Sequence, residues 1–195
     1  MLITGGFNER GASAWFNPHT NSYCDLPDLP DPRNWHNQIG LMACGGYDEI
    51  NNDYLPNCVT FNLNTGVWEE THSFDEDHGN SVWVNSTDGV YLMGGWTYDY
   101  DEVTLLKPDG TTEDNAANWE MEQPTILACQ VLESDGRVIV VGGVDDNDDD
   151  LDSVHRYDEN GYVEALPSLN VPRVGHGCAG YYDEDENLVK CIILS

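Results

Sequence analysis

Short apolar runs, each closed by a pair of glycines, recur along the chain. They read Leu2-Ile3 before Gly5-Gly6, Leu41-Met42-Ala43 before Gly45-Gly46, Tyr91-Leu92-Met93 before Gly94-Gly95, and Val138 to Val141 before Gly142-Gly143. Successive doublets lie 40, 49 and 48 residues apart, the spacing of a repeated structural unit. Runs this short, rich in β-formers and bounded by turn residues, predict buried strands. Asp88-Gly89 and Asp135-Gly136 stand ahead of the last two runs as hairpin turns. A second strand follows each doublet, around Trp15-Phe16, Val59 to Phe61, Val103 to Leu106, and Val154 to Tyr157. A polar turn then leads to a third strand. In three repeats that step joins two aromatics: Phe16 to Tyr23, Phe61 to Trp68, and Tyr157 to Tyr162. The other repeat has Leu106 in place of the first aromatic and none in register for the second, so its last strand is poorly defined. The aromatics of the last strands are expected to pack between neighbouring sheets.

Two repeats share a longer tag. Leu26-Pro27 runs through Pro30 and Pro32 to Arg33 and His36, and Leu166-Pro167 runs through Pro172 to Arg173 and His176. Prolines suit an edge strand and its exit, since they withdraw an N–H from the ladder. The combination of doublet glycine, paired aromatics, Leu-Pro and Arg-x-x-His resembles the kelch repeat over essentially the whole chain. The phrases at Cys24 to Pro30, Ala43 to Gly46 and Leu105 to Gly110 are most similar to those of invertebrate, cysteine-containing kelch proteins.

The resemblance implies an all-β fold, a kelch-type β-propeller of about four blades. Strand A of each blade would begin at the Arg-x-x-His, B would end at the glycines, and C and D would carry the aromatics. The chain then reads as one repeat domain: a blade piece at 1–30, blades at about 33–71, 78–122 and 126–166, and a piece at 173–195. MLITGG opens inside one B strand and KCIILS closes inside another. The expectation is a chain cut within a repeat at each end, forming an open arc, with a four-bladed ring as the alternative. Arg33 lies only twelve residues before Gly45, which demands a very short A–B hairpin, and His78 lacks the arginine of the tag. Arg33, His36, Arg173 and His176 are expected to make structural hydrogen bonds, the arginines between blades.

Charge narrows the function. Thirty-six Asp and Glu face seven Lys and Arg, a net of −29. Such a surface repels phosphate backbones and anionic membranes and suits a basic protein partner. No apolar run approaches the ~20 residues of a bilayer-spanning helix. There is no Cys-x-x-Cys, no closely spaced histidine pair, no Gly-x-Ser-x-Gly and no phosphate loop. No catalytic residue, cofactor or metal is therefore expected. The reading is a non-enzymatic, protein-binding propeller whose B–C loops at 47–57, 96–101 and 144–151 form the contact surface. Its named contacts are Asp48, Glu49, Asp99, Asp101, Asp145, Asp146, Asp148 and Asp149. The resemblance leaves two alternatives, a sugar-active enzyme like galactose oxidase or a mutarotase, and a substrate adaptor of a ubiquitin ligase. The acidic run 145–152 departs from the calcium-loop template, with Asp150 at the glycine position and Arg156 at the glutamate position, so it reads as a solvated loop.

The cysteines bear on compartment. Cys44 ends strand B and Cys58 opens strand C, so a disulfide between these antiparallel neighbours is expected, with Cys24 as a competitor. Cys129, Cys178 and Cys191 read as small buried hydrophobes, the last two facing each other across a hairpin. A disulfide and the sequon Asn85-Ser86-Thr87 lean toward an extracellular protein.

Overall fold

A computed structural model of the chain describes residues 2–5, 11–74, 78–95, 101–114, 121–182 and 188–194, with the backbone alone given for 181–182 and 188–194. Two compact units divide it, 1–79 and 80–195. Every regular element among the described residues is a strand.

The first unit opens with β1 (Leu2–Thr4), β2 (Ser13–Asn17) and β3 (Ser22–Leu26), a three-stranded antiparallel meander. Next come β4 (Asn37–Ile39), β5 (Met42–Cys44), a short ribbon of β6 (Tyr47–Asp48) with β7 (Asp53–Tyr54), then β8 (Asn57–Asn62) and β9 (Val67–Ser73). The sheet order is β4-β5-β8-β9, with the ribbon projecting between its second and third strands. The short first hairpin exists: β4 and β5 have three residues each and turn through Gly40 and Leu41. In the second unit, β10 (Val82–Asn85), β11 (Val90–Met93), β12 (Val103–Leu106) and β13 (Thr112–Glu113) form one sheet in chain order. The next, also in chain order, contains β14 (Cys129–Leu132), β15 (Val138–Val141), β16 (Val154–Asp158) and β17 (Gly161–Leu166). A hairpin of β18 (Gly177–Tyr182) and β19 (Leu188–Leu194) follows.

Each full sheet thus has the A–B–C–D meander of a propeller blade. The aromatic pairs are direct cross-strand partners: Phe16 opposite Tyr23, Phe61 opposite Trp68, and Tyr157 opposite Tyr162. Their ring centroids lie 4.8, 5.4 and 5.9 Å apart, within the range of favourable aromatic pairing. Where the aromatics are missing, Leu106 pairs with Thr112 and the last strand has only two residues. The last-strand aromatics correct one expectation. Tyr23 is 65% and Tyr162 41% exposed, because each stands on the last, edge strand of its sheet. Only Trp68 is half-buried, packed against Leu29, Ala43 and Val59, and its Nε1 donates to the Pro27 carbonyl at 2.8 Å.

Burial explains the unbroken Val138-Ile139-Val140-Val141 run. All four residues are buried, yet successive side chains of a strand point to opposite faces. Val138 and Val140 join Val82, Val84, Met93 and Val103 on one side. Ile139 and Val141 join Cys129, Val131 and Val154 on the other, with Leu169 and Cys178 against them. A strand packed on both faces loses the polar half of its alternation.

The glycine doublets set how sheet follows sheet. The first glycine has φ 62, 61, 58 and 59° at Gly5, Gly45, Gly94 and Gly142, and its N–H extends the ladder to the third strand, as in Gly45 to Asn57 O at 2.9 Å. The second has φ 96, 92 and 104° at Gly46, Gly95 and Gly143. Its N–H donates to the residue that opens the following sheet: Gly46 to His78 O at 2.6 Å, Gly95 to Thr125 O at 3.0 Å, and Gly143 to Arg173 O at 2.8 Å. Gly6 lies outside the described residues. A Cβ on Gly45 would sit 1.9 Å from the His78 carbonyl oxygen, so both the backbone angle and the space demand glycine.

Gly45→Ala is expected to cost about 3 kcal/mol or more, since buried backbone must move. Gly40 has nearly the same φ, 60°, with nothing within 4 Å of its added Cβ. Gly40→Ala should cost only the left-handed penalty of about 1–2 kcal/mol. Urea midpoints of the two variants measure the difference, and equal losses would contradict the close-approach argument.

Candidate functional site

The segment that opens each sheet supplies the framework on which its loops stand. Arg33 is fully buried. Its Nη1 donates to the carbonyls of Gly45 and Asn57, each at 3.1 Å, and its Nη2 to Asn57 Oδ1 at 3.1 Å. These partners belong to the sheet that Arg33 itself opens, which replaces the expected bridging between blades with a tie inside one. Asp31 lies 3.6 Å from the guanidinium. Burial pulls the Arg33 pKa down to about 10, opposed by Asp31, Glu70 and Asp48, so the group stays charged at neutral pH. Thr125 takes the same place two sheets later, its hydroxyl donating to the Gly142 carbonyl at 3.1 Å. His78 and Arg173 open the other two segments by the same glycine contact.

Two residues on from these four stand Trp35, Asn80, Leu127 and Gly175, with φ of 55, 53, 54 and 60°. A left-handed residue therefore precedes β4, β10, β14 and β18, and where the tag is present the strand begins after its histidine rather than at its arginine. Sequence reasoning missed this turn, although Asn80 and Gly175 are residues that accept that conformation readily.

His36 Nε2 lies 2.7 Å from the Thr4 hydroxyl, joining the sheet it opens to the preceding one. Burial and the neighbouring Arg33 hold its pKa down at about 4. His78 is buried against Phe74, with ring centroids 4.5 Å apart, and burial sets it at about 4. His176 is also shifted down, by burial and by Arg173.

The loops between second and third strands differ from one another. In the first, Asp48 is 2% exposed. Its carboxylate accepts from the N–H groups of Ile50 and Asn51 at 2.8 and 3.3 Å and from Asn51 Nδ2 at 2.6 Å. Glu49 is half-buried and accepts from Asn34 Nδ2 at 2.8 Å. Asp48 is thus a turn cap, not a contact residue, and the tip presents Ile50, 69% exposed, beside two asparagines. The rings of Tyr47 and Tyr54 brace the base, 5.0 Å apart. In the second loop Asp99 lies outside the described residues, and Asp101 is half-buried. The third is a tight hairpin closed by the bridge from Val144 to Asp150, with Val144 also bridged to Ile126 of the segment that opens the sheet. Asp145 accepts from the backbone N–H of Asn147 and Asp149 at 2.9 and 3.0 Å, which lowers its pKa. Asp146, Asp148, Asp149 and Asp150 are left facing solvent.

A polar cleft of about 490 Å³ opens among three turns of the second unit, at Asn85 to Thr87, Asp135 to Arg137 and Asp158 to Asn160. Its one guanidinium, Arg137, is paired with Asp135 at 2.8 Å and Glu133 at 3.4 Å. Asn85 of the sequon is exposed at the rim.

Cys44 and Cys58 are bonded as a disulfide, directly opposite each other in a non-hydrogen-bonded pair with Cα atoms 4.0 Å apart. Cys24 is exposed on β3, opposite Trp15, and does not compete. The second pair is a correction. Cys129 bonds Cys178 with Cα atoms 5.6 Å apart, joining the first strands of successive sheets. In register Cys178 faces Ile193, while Cys191 faces Gly180. The reading as isolated buried hydrophobes failed because these partners come from different repeats. One sheet earlier the same position holds Gln130, whose amide bridges the Trp83 N–H and carbonyl at 2.6 and 3.2 Å. The disulfide is the covalent form of that contact.

No protein-family model matches the chain. It is 33% identical over 188 residues to Kelch-like protein 35 of Mus musculus, covering 91% of this chain and 31% of that relative. The chain therefore spans about a third of the length of the curated relative it matches.

Arg33→Met is expected to lose about 2–4 kcal/mol by stranding two buried carbonyls, and Arg33→Lys to recover less than half, because a single ammonium cannot reproduce the fork. Chemical denaturation ranks the three proteins. A histidine whose folded pKa is depressed stabilises the fold fully above its unfolded value near 6.5, and that stability drains away as pH falls toward about 4. Between pH 7 and pH 4.5, His78→Gln should reduce the stability lost by about 2 kcal/mol relative to the parent chain, read from urea curves at both pH values.

Proposed function

The chain is a kelch-repeat β-propeller, and from that premise we propose that it is a non-enzymatic recognition module binding another protein through a basic surface. The supporting observation is the loop at 144–150. Asp145 spends its carboxylate fixing the turn, so the exposed Asp146, Asp148 and Asp149 are presented on an ordered frame. A rigid scaffold displaying distinct loops suits recognition. Ile50, at the tip of its ribbon, adds an apolar contact of its own. In the polar cleft the arginine is engaged by carboxylates. The paired cysteines accord with an oxidising compartment. The likeness to a kelch-like protein also accommodates an adaptor role within a longer chain.

An array of lysine- and arginine-rich peptides, probed with the purified chain at rising NaCl, tests the proposal. Bound peptides should lose affinity by about ten-fold or more between 0.05 and 0.5 M salt. The combined variant D146N/D148N/D149N should bind several-fold more weakly at low salt. Salt-independent binding, or full retention by the variant, would remove the electrostatic reading.

A further inference from the structure

The pair Cys129–Cys178 has a third neighbour. One ligand atom each of Cys129, His176 and Cys178 lies within 4.8 Å of the others. Both ring nitrogens of His176 are shielded from solvent and have no hydrogen-bond partner. His36, at the corresponding position of an earlier repeat, uses its Nε2 on Thr4. A half-buried imidazole with both nitrogens shielded and neither engaged, set beside two sulfurs, is an unexplained polar group pointing to a ligand.

We propose that Cys129, Cys178 and His176 form a redox-gated site for a thiophilic divalent cation such as zinc. In the oxidised chain the sulfurs are bonded to each other. Reduction by a water-soluble phosphine breaks that bond, leaves a protonated thiol on each sulfur, and converts the phosphine and one water to phosphine oxide. A cellular dithiol does the same while closing its own disulfide. Metal binding then releases both thiol protons to solvent and recruits the free imidazole nitrogen. Two thiolates and an imidazole are borderline-soft donors suited to tetrahedral zinc, with the fourth position left to water.

The frame does not depend on the disulfide. Gly175 N–H donates to the Leu127 carbonyl at 3.0 Å, and Gly143 N–H to the Arg173 carbonyl at 2.8 Å. The His176 ring rests on Gly142, whose added Cβ would lie 3.0 Å from Cε1. These backbone ties hold the segment 173–178 beside 127–129 on their own, so the three donors stay together after reduction. Local sequence could not reveal the site: only His176 and Cys178 are near neighbours, and the third donor comes from the preceding repeat.

The full chain, carrying C44S/C58S so that no other reducible pair contributes, is reduced anaerobically with the phosphine and titrated with Co²⁺. About one equivalent should bind, with sulfur-to-cobalt charge-transfer absorption and tetrahedral visible bands, and Zn²⁺ should displace it. The oxidised chain should show neither band. C178S should abolish the charge-transfer band, and H176A should weaken affinity by about ten-fold or more. Where C44S/C58S loses its far-ultraviolet circular dichroism, the parent chain is reduced instead and alkylated with and without Zn²⁺. Mapped peptides should then show Cys129 and Cys178 protected and Cys24 not. Absence of Co²⁺ binding in the folded, reduced chain, unchanged charge transfer in C178S, or no zinc protection of the two cysteines would overturn the proposal.

Discussion

One hydrogen bond recurs at three of the glycine doublets. The second glycine of a doublet gives its N–H to the carbonyl of the residue opening the following sheet, at His78, Thr125 and Arg173. Because the acceptor is backbone, the side chain at that position is free to differ, and it does: a histidine, a threonine and an arginine fill it. The doublet has no such freedom. The second glycine's φ is left-handed, and the missing Cβ of the first, at Gly45 and Gly142, is where the carbonyl oxygen of His78 or Arg173 comes to rest. Ladder pairing builds each sheet, but this contact fixes the step from sheet to sheet, and the apolar run ahead of the doublet packs on both faces as a result. Arg33 and Thr125 then tie the first glycine's carbonyl, so the doublet is anchored on both sides.

The meander, the position of each second strand, the aromatic partners and the Cys44–Cys58 bond were legible in the sequence because they are local. Each joins residues of one repeat, and the period of the repeat exposes them. What was not legible is what one repeat does to another. The Cys129–Cys178 bond has a sequence separation of 49, one whole repeat, so nothing in either neighbourhood signals the other. The left-handed turn before each first strand was hidden because Trp35 and Leu127 mask a position that Asn80 and Gly175 display more openly. The exposure of Tyr23 and Tyr162 escaped the pattern because aromatic character reports a cross-strand pair without telling which strand forms the edge.

Charge counting overestimated the acidic surface for a related reason. A short aspartate has two uses in a loop, and composition does not separate them. Asp48 and Asp145 turn inward to satisfy backbone N–H groups, a role to which aspartate is well suited. Their neighbours face water. The net charge of −29 is real, yet its presentation depends on which carboxylates hold the turns. Asp48 also raises the affinity of buried Arg33 for its proton, so one carboxylate serves the loop and the framework below it.

The two disulfides have a topological consequence. Cys44 and Cys58 bracket the loop that carries Ile50, and Cys129 and Cys178 bracket nearly an entire repeat, including the acidic hairpin. In the oxidised chain, a protease cutting either loop makes a nick without releasing a piece. The severed ends stay joined through sulfur, and the sheets beside them keep their glycine contacts. Both exposed loops thereby lie where a single cleavage leaves the covalent structure in one piece.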